Sequence, residues 1–282
     1  MAIFFYINLD RVPKRSEFME KQLKSVGFQD SAERFSAVDA AQPGVLENTG
    51  YRPGGWRPRW NMTKTEIACF ESHRRLWQKI VDDGLDSAFV MEDDVFLSTR
   101  CADAIKAIEY APKDLDVLKI DGSNMNGRYG AFIKLGDYQL RPILQTVQSS
   151  AAYRITFKGA SRLLDISHRY SDTVDDFIFQ PRENWRASQL FPAVAVQGMF
   201  REDTTVGNQS TVVATSERTA DPDLNTNVDK GPTAYRVTKE LKRFVRKTKR
   251  KLWEDQILLR KGGFIGPPPL AEDLGRYRNL GS

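Results

Sequence analysis

The most informative stretch of the sequence is Ala88-Phe89-Val90-Met91-Glu92-Asp93-Asp94, in which an apolar run of strand length ends directly in three acids. In open α/β sheets, ligands bind beyond the carboxyl ends of the strands. Adjacent carboxylates repel one another unless a cation lies between them, and hard oxygen ligands suit Mn²⁺ or Mg²⁺. We therefore predict a divalent metal site held by Asp94 with Asp93 or Glu92. The alternative is a solvated acidic turn that caps the next helix.

The segments around this stretch alternate between strand patterns and helix patterns. Helices are predicted from Pro13 to about Val26, from the capping box at Thr63–Glu66 to about Asp83, and over residues 159–166. Short apolar runs predict strands at residues 3–9, 35–38, 88–91, 117–120, 151–156 and 191–196. The alternation predicts an α/β fold with a mixed, mostly parallel sheet flanked by helices.

Composition limits the class of protein. The chain has 282 residues, of which 40% are hydrophobic and 28% charged, which excludes a collagen-like or wholly disordered chain. The apolar start, Ala2 to Leu9, has no basic residues before it, so we interpret it as a first strand and not as a signal peptide. The two cysteines, Cys69 and Cys101, form neither a disulfide framework nor a metal quartet, which favours the cytoplasm.

The positive charge of the chain is concentrated near its end. The net charge is +5, but residues 236–251 carry nine Lys or Arg and one acid, a net +8, so the remainder carries −3. We therefore divide the chain into a catalytic domain at 1–200, a polar, mobile segment at 201–235 and a basic C-terminal helical tail at 236–282. The basic pI does not by itself predict a nucleic-acid-binding body.

The tail has the pattern of an amphipathic helix. Between Thr238 and Leu259, apolar residues recur at near-helical spacing and Lys and Arg supply the opposite face. Such helices lie on anionic membrane surfaces, so we predict that the protein is peripheral on the inner face of the plasma membrane. The alternative is a helix that packs its apolar stripe on the body. Nucleic-acid binding is not expected, because aromatic residues are not interleaved with the basic run.

Six stretches together resemble glycosyltransferase family 25, the lipooligosaccharide-biosynthesis transferases that also include collagen galactosyltransferases. They are Ile7-Asn8-Leu9-Asp10-Arg11 with Arg15 and Met19, Arg34–Asp39, Thr65–Cys69 with Ser72-His73, Val90–Val95, Ala152–Thr156 with Gly159-Ala160, and Val174–Phe177. The resemblance covers about residues 3–200. It implies a GT-A-like fold, a nucleotide-diphosphate sugar donor, a divalent metal and inversion at the anomeric carbon.

The resemblance also implies roles for particular residues. The acidic motif of the family corresponds to Glu92-Asp93-Asp94, and its Val-Asp pair corresponds to Val174-Asp175. Ser149-Ser150 departs from the family, because a glycine is expected nearby. The residues expected to bind the nucleotide sugar are Asn8, Asp10, Arg11, Arg15, Glu66 and His73. For Glu66 and His73 the alternative is a capping-box glutamate and a satisfied helical histidine.

Asp175 and Asp176 are the candidates for the general base that takes the proton of the acceptor hydroxyl. Asp121 is a weaker rival, and the alternative role for Asp175 is an N-cap or a second metal contact. The loop from Tyr51 to Trp60 mixes aromatic residues and arginines, which suit sugar rings and acidic groups. Its candidate acceptor-binding residues are Trp56, Arg57 and Trp60, and the alternative is a loop held in place by its tryptophans.

The sequence therefore predicts a metal-dependent, inverting glycosyltransferase. It would move a hexose, galactose or glucose, from a UDP-sugar to a lipopolysaccharide, lipooligosaccharide or other surface glycan, with Mn²⁺ or Mg²⁺ as cofactor. A metal-dependent phosphohydrolase using the same acids is the alternative enzyme. A basic adaptor that binds membrane or nucleic acid through its tail is the alternative without catalysis.

Overall fold

The computed structural model describes residues 2–54, 59–202 and 228–278. Thirteen strands are assigned in this part of the chain: β1 Phe4–Asn8, β2 Ala32–Ser36, β3 Ser87–Glu92, β4 Val95–Leu97, β5 Val117–Lys119, β6 Asp121–Gly122, β7 Gly127–Tyr129, β8 Ile133–Leu135, β9 Tyr138–Pro142, β10 Ala152–Thr156, β11 Ala187–Phe191, β12 Ala195–Gln197 and β13 Phe264–Gly266. The helices are α1 Pro13–Ser25, α2 Lys64–Asp82, α3 Cys101–Ile108, α4 Phe157–Ile166, α5 Val174–Phe179, α6 Thr233–Lys249 and α7 Asp255–Arg260.

The central sheet has eight strands in the order β2-β1-β3-β10-β5-β11-β9-β8. The pairs β2/β1, β1/β3 and β5/β11 are parallel, and the other pairs are antiparallel. Six strands therefore point in one direction, and only β10 and β9 point in the other. The predicted fold class, a mixed and mostly parallel sheet flanked by helices, is confirmed. A smaller sheet, β4-β12-β6, lies beside it.

The alternation of side chains along β1 and β3 separates two hydrophobic clusters. Phe4, Tyr6 and the facing residues of β3 pack with α1 and α3, while Phe5, Ile7 and the intervening residues of β3 pack with α2, α4 and α5. Successive residues of a strand point to opposite faces, so each strand serves both clusters. The result is a three-layer arrangement in which the carboxyl ends of β1, β2 and β3 meet at one edge.

Local signals in the sequence place several of these elements correctly. Pro13 opens α1, and Thr63 and Glu66 form the predicted capping box at the start of α2. The second strand lies at Ala32–Ser36, earlier than predicted. The predicted strand at 191–196 divides into β11 and β12, because Pro192 has no N–H to donate to a ladder.

The chain after α6 returns to the body. A π-helical turn, Arg250–Glu254, joins α6 to α7, and β13 then pairs with β7. Further on, Asp273 accepts hydrogen bonds from the Ser98 hydroxyl, at 2.6 Å, and from the Thr99 N–H, at 2.7 Å. Residues 264–278 therefore belong to the packed structure. Most of the predicted polar, mobile segment, residues 203–227, lies outside the described residues.

Candidate functional site

A cleft of about 370 Å³ opens at the edge where β1, β2 and β3 end. Its floor is formed by residues at or just past the ends of these strands, among them Leu9, Val38 and Glu92, and one wall is the first three turns of α2. The opposite wall is formed by Ser149, Ser150 and the start of α5. The position agrees with the general rule that open α/β sheets bind ligands beyond the carboxyl ends of parallel strands.

The middle acid of the triplet is fully engaged by neighbouring side chains. Asp93 Oδ2 accepts a hydrogen bond from Asn8 Nδ2 at 2.8 Å, and Asp93 Oδ1 lies 2.9 Å from Arg15 Nη1. Burial raises the pKa of the Asp93 carboxyl, whereas Arg15 and Asn8 oppose that rise. Asp93 also lines the cleft, but both of its oxygens serve to join β1, α1 and the end of β3.

The two outer acids of the triplet converge on the cleft. The Gln197 side-chain amide donates to Glu92 Oε2 at 3.1 Å and to Asp94 Oδ2 at 3.0 Å, so the two carboxylates share one neighbour. Asp94 Oδ1 is buried and has no hydrogen-bond partner among the described residues. Burial, together with the charges of Glu92 and Asp93, raises the pKa of Asp94 to about 7. An unsatisfied oxygen in a cluster of negative charge fits a bound divalent cation.

His73 lies in the wall formed by α2 and is almost completely buried. Its Nδ1 is 2.8 Å from the Tyr153 hydroxyl, which also accepts a hydrogen bond from the Trp77 indole N–H at 2.9 Å. Its Nε2 is 3.7 Å from Glu92 Oε1 and has no hydrogen-bond partner in the described ranges. One ligand atom each from Cys69, His73 and Glu92 lie within 4.8 Å of one another.

The two candidate bases have different surroundings. Asp175 lines the cleft, and its Oδ2 accepts the Ser149 backbone N–H at 3.1 Å. Asp176 is not among the residues that line the cleft. Its carboxylate contacts two that are, the Thr173 hydroxyl at 3.1 Å and Arg59 at 3.6 Å, and burial raises its pKa. Thr173, and not Asp175, occupies the N-cap position of α5.

Asp121, the weaker candidate base, belongs to a buried network behind this wall. Its carboxylate lies 2.6 Å from Lys119 Nζ and accepts the Ser149 hydroxyl at 2.6 Å. Lys119 Nζ also donates to the Ser149 carbonyl oxygen at 2.6 Å. The network therefore holds Ser149 from its side chain and from its backbone, and Ser149 in turn holds Asp175.

The predicted nucleotide-binding residues lie at the edge of the cleft in two groups. Arg11, Arg15, Glu66 and His73 line it, whereas Asn8 and Asp10 are not among the lining residues. Asn8 is buried and uses its amide on Asp93 and on the Val12 carbonyl oxygen. Asp10 is exposed and pairs with Arg34 at 2.5 Å. Arg11 reaches the cleft from an ion pair with Asp39 at 2.8 Å.

The predicted acceptor residues are described only in part. Trp56 and Arg57 lie outside the described residues. Trp60 is absent from the described cleft lining, because its indole N–H donates to Asp229 at 3.1 Å and its ring packs on Tyr235 of α6. From the same loop, Arg59 lines the cleft and pairs with Glu66 at 2.8 Å.

Sequence reasoning missed Gln197, Arg59 and the support role of Ser149. Gln197 is the last residue of the short strand β12, which no motif marks, and it lies 105 residues from Glu92. For Ser149 the signal in the sequence was that Ser149-Ser150 stands where the resemblance implies a glycine nearby. The φ of Ser149 is +73°, in the left-handed region that favours glycine.

The basic helix α6 is exposed along its length. Tyr235 is buried, but Leu241 is 62% exposed and Phe244 is 67% exposed, and Val237 and Val245 are exposed beside them. The helix is attached at its start by the Tyr235–Trp60 contact and beyond its end by ion pairs of Arg128 with Glu254 and Asp255. No helix in the described residues is both long enough and apolar enough to cross a membrane.

Comparison with known proteins identifies relatives of this architecture. A sequence model of glycosyltransferase family 25 (LPS biosynthesis protein) matches residues 1–178. The lipooligosaccharide biosynthesis protein lex-1 of Haemophilus influenzae is 25% identical over 211 residues, which cover 69% of this chain and 68% of that protein. Procollagen galactosyltransferase 1 of Danio rerio is 30% identical over 179 residues, 57% of this chain and 28% of that protein.

Several relatives are matched over only part of their length. The matched segment covers 28% of the Danio rerio protein and 60% of another Haemophilus influenzae relative, less than two thirds in each case. Among solved structures, a mannose-1-phosphate geranyltransferase from Thermus thermophilus matches with a TM-score of 0.35 and 9% identity, over 67% of this chain and 72% of that chain.

Proposed function

Because the chain belongs to glycosyltransferase family 25, we propose that it transfers a hexose, galactose or glucose, from a UDP-sugar to a lipopolysaccharide, lipooligosaccharide or other surface glycan, with inversion at the anomeric carbon. The observation that carries the proposal is the pair of converging carboxylates, Glu92 and Asp94, at the carboxyl edge of the sheet, with one buried Asp94 oxygen left open. The name of one relative, a lipooligosaccharide biosynthesis protein, supports a glycan acceptor, and the name of another, a procollagen galactosyltransferase, supports galactose as the sugar.

Asp94 and Glu92 are the residues that would hold Mn²⁺ or Mg²⁺. The donor set is hard oxygen, and Asp94 Oδ1 has no competing partner in the described part of the chain. Asp93 lines the cleft beside them, and its oxygens are engaged by Asn8 and Arg15, so we assign it a supporting role. A bound divalent cation supplies positive charge to the diphosphate leaving group.

Asp175 is the proposed general base. It faces the cleft, and the Ser149 N–H orients one of its oxygens. A carboxylate in this position can accept the proton of the acceptor hydroxyl as the hydroxyl oxygen attacks the anomeric carbon of the sugar. The bond between that carbon and the diphosphate breaks, and its electron pair leaves with the diphosphate. Asp176 is engaged by Thr173 and Arg59 and serves to hold the start of α5.

The donor nucleotide is assigned to the β1–β2 side of the cleft. Leu9, Val38 and Ala68 provide an apolar lining there, while Arg11 and Arg15 bring positive charge close to the site of a diphosphate. Glu66 and His73 supply polar groups from α2. Asn8 and Asp10 contribute by fixing the arginines and acids that line the cleft and its rim.

The acceptor is assigned to the loop of residues 51–60. Arg59 brings this loop to the cleft, and Trp56 and Arg57 are the proposed contacts to the acceptor glycan. Trp60 contributes by attaching the loop to Tyr235. Aromatic faces and guanidinium groups suit sugar rings and acidic substituents, which fits a surface glycan.

The test is release of UDP in the presence of donor, acceptor glycan and Mn²⁺. If the protein is a glycosyltransferase, UDP is released only when the acceptor is present. Asp94→Asn, the matched control, should release none. Phosphate release from simple esters, again lost in Asp94→Asn, would indicate a phosphohydrolase instead. Neither product, with binding of vesicles intact, would indicate an adaptor without catalysis.

We also propose that α6 places the enzyme on the inner face of the plasma membrane, in contact with anionic lipid. The apolar stripe of α6 is uncovered, and nine Lys or Arg against one acid surround it over residues 236–251. Each basic group near an anionic surface adds about 1 kcal/mol, and exposed apolar side chains insert at the headgroup boundary. Pairing of this helix with the same helix of a second copy would bring two positively charged surfaces together, and they would repel. An anionic bilayer instead complements the charge of the helix.

Sedimentation with vesicles tests this attachment. The protein should sediment with phosphatidylglycerol vesicles in a salt-sensitive way. With phosphatidylcholine vesicles it should stay in the supernatant. The double variant Leu241→Gln, Phe244→Gln should lose binding, while Tyr110→Ser, which removes an 83% exposed apolar side chain elsewhere, should keep it. Equal binding by the double variant and the wild type would contradict the proposal. Truncation before α6 is unsuitable, because it also removes the packed residues 264–278.

A further inference from the structure

Three buried side chains form a chain of hydrogen bonds behind the wall of the cleft. Trp77 and Tyr153 are fully buried, and His73 is 1% exposed. An indole N–H can only donate, so the 2.9 Å contact has Trp77 donating to the Tyr153 oxygen. The remaining contact of that oxygen, 2.8 Å to His73 Nδ1, is the one whose direction must be inferred.

The Tyr153 hydroxyl has one hydrogen, and His73 Nδ1 is the remaining contact in the described structure that can accept it. If Nδ1 carried a proton and donated to Tyr153, the tyrosine oxygen would accept twice and its own hydrogen would be buried without a partner. A buried unsatisfied donor is costly. When Tyr153 donates to Nδ1, the N–H without a hydrogen bond is the one on Nε2, which has a carboxylate oxygen 3.7 Å away, so this arrangement costs less and Nδ1 accepts. In the neutral imidazole the proton is then on Nε2, the atom that faces Glu92.

We propose that the Trp77–Tyr153 pair fixes His73 as the Nε2–H tautomer, and that His73 is a positioning residue for the Glu92 carboxylate. Glu92 Oε1 already accepts the Ser150 hydroxyl at 3.0 Å, and Oε2 accepts the Gln197 amide at 3.1 Å. His73 Nε2 lies 3.7 Å from Oε1. A small movement would therefore bring its N–H within hydrogen-bond range, as a third neutral donor to the carboxylate. Donors of this kind orient a carboxylate towards a bound cation.

The same geometry argues against a soft-metal site at Cys69, His73 and Glu92, whose ligand atoms lie within 4.8 Å of one another. A metal on Nε2 requires the imidazole proton on Nδ1. That proton would point at a Tyr153 oxygen that already accepts from Trp77, and it would displace the tyrosine hydrogen into an apolar interior. The buried pair therefore selects a hydrogen-bond donor at this position and disfavours a metal ligand.

The tautomer is directly measurable in the metal-free protein. The chain has two histidines, so a ¹⁵N-histidine spectrum at pH 8 contains two imidazoles, and His168→Gln assigns them. We expect His73 with Nε2 protonated and Nδ1 unprotonated, and a mixture of tautomers in Tyr153→Phe. A protonated Nδ1 in the wild type would overturn the proposal. So would a spectrum of Tyr153→Phe identical to that of the wild type.

The positioning role rests on the proposed function and has its own readout, the Mn²⁺ concentration for half-maximal UDP release. His73→Leu and Tyr153→Phe should raise it about 10–100-fold, and His73→Gln, which can place an amide N–H near Nε2, should recover most of the loss. Tyr138→Phe is the matched control, because Tyr138 is a buried tyrosine that donates to the Arg100 carbonyl oxygen instead. If His73→Gln is as impaired as His73→Leu, the donor role is wrong.

The two measurements fail separately. Absence of any glycosyl transfer by the wild type would reject the proposed function and leave the tautomer result standing. Tight Zn²⁺ binding that is lost in both Cys69→Ser and His73→Gln would reject the inference and leave the proposed function standing. Should Tyr153→Phe not fold, the wild-type spectrum and the His73→Gln comparison still decide the matter.

Discussion

Arg15 Nη1 lies 2.9 Å from Asp93 Oδ1, in an ion pair whose two side chains are each about nine-tenths buried. The pair joins the first turn of α1 to the end of β3. It gives three consecutive acids two different tasks. All three acids line the cleft, but the Asp93 carboxylate holds the edge of the sheet together, whereas Glu92 and Asp94 share Gln197 as a neighbour.

Asp93→Asn should destabilise the protein more than it affects the chemistry. Removing one partner of a buried ion pair costs about 3–5 kcal/mol, because the remaining charge stays buried. Urea unfolding should show this loss as a lower midpoint with an unchanged slope. The donor KM of the folded fraction should stay within a few-fold of the wild type. A stable Asp93→Asn protein without activity would instead make Asp93 a direct ligand.

Asp94→Asn should abolish transfer and change the pH dependence of stability. The pKa of Asp94 is about 7 in the folded protein and 3.8 in the reference state. A raised pKa stabilises the folded protein below about pH 4, and that contribution is lost as the pH rises through about 7. The advantage of Asp94→Asn in free energy of unfolding should therefore grow between pH 4 and 7.

Urea titrations of the wild type and Asp94→Asn in a chelator, at several pH values, measure this difference. A difference that is constant with pH would show that Asp94 does not titrate in this range. Mn²⁺ at pH 7.5 should raise the melting temperature of the wild type and leave that of Asp94→Asn unchanged, since a ligand stabilises only the form that binds it.

Asp175→Asn should lower kcat about 10²–10⁴-fold with little change in the donor Kd, which is the signature of a lost general base. Asp176→Asn, its neighbour, should change kcat by less than about 10-fold, because Asp176 faces Thr173 and Arg59. Donor binding is measured by calorimetry and kcat by UDP release. The reverse ranking of the two variants would transfer the assignment to Asp176.

Ser149→Gly and Ser149→Ala should separate backbone strain from the hydrogen bond to Asp121. Both variants lose the hydroxyl that Asp121 accepts, at a cost of about 1–3 kcal/mol. Only glycine relieves the φ of +73°, which is worth about 1–2 kcal/mol. Ser149→Gly should therefore unfold at a higher urea concentration than Ser149→Ala. Equal midpoints would mean that the backbone at this position is unstrained.

Much of the fold could be predicted because its signals are local. The capping box at Thr63 and Glu66, the proline that opens α1 and the apolar run before Glu92 each specify an element from a few adjacent residues. The hairpin of β8 and β9 was missed. β8 is short and largely exposed, so it lacks the apolar run by which the other strands were recognised.

The acids of the site could be located from the sequence, but their division of labour could not. Nothing in the local sequence distinguishes the three adjacent acids from one another. What distinguishes Asp93 is its contact with Asn8, 85 residues away. Trp60 was expected at the acceptor for its aromatic ring, whereas its partner, Asp229, is 169 residues away. Pairings over such distances leave no local pattern in one sequence.

The packing of Val196 against Ala271 and Leu274 bears on the order in which the protein is assembled during synthesis. Gln197, which bridges Glu92 and Asp94, directly follows Val196 on β12. The residues that pack behind this strand, Ala271 and Leu274, are translated about 75 residues later. A nascent chain folds from its amino end as it emerges, so the sheet and its acids can form while the segment behind β12 is still inside the ribosome. The edge that carries Glu92 and Asp94 is thus completed only after residues 271–274 have been made, and the nascent chain gains a fully formed cleft late.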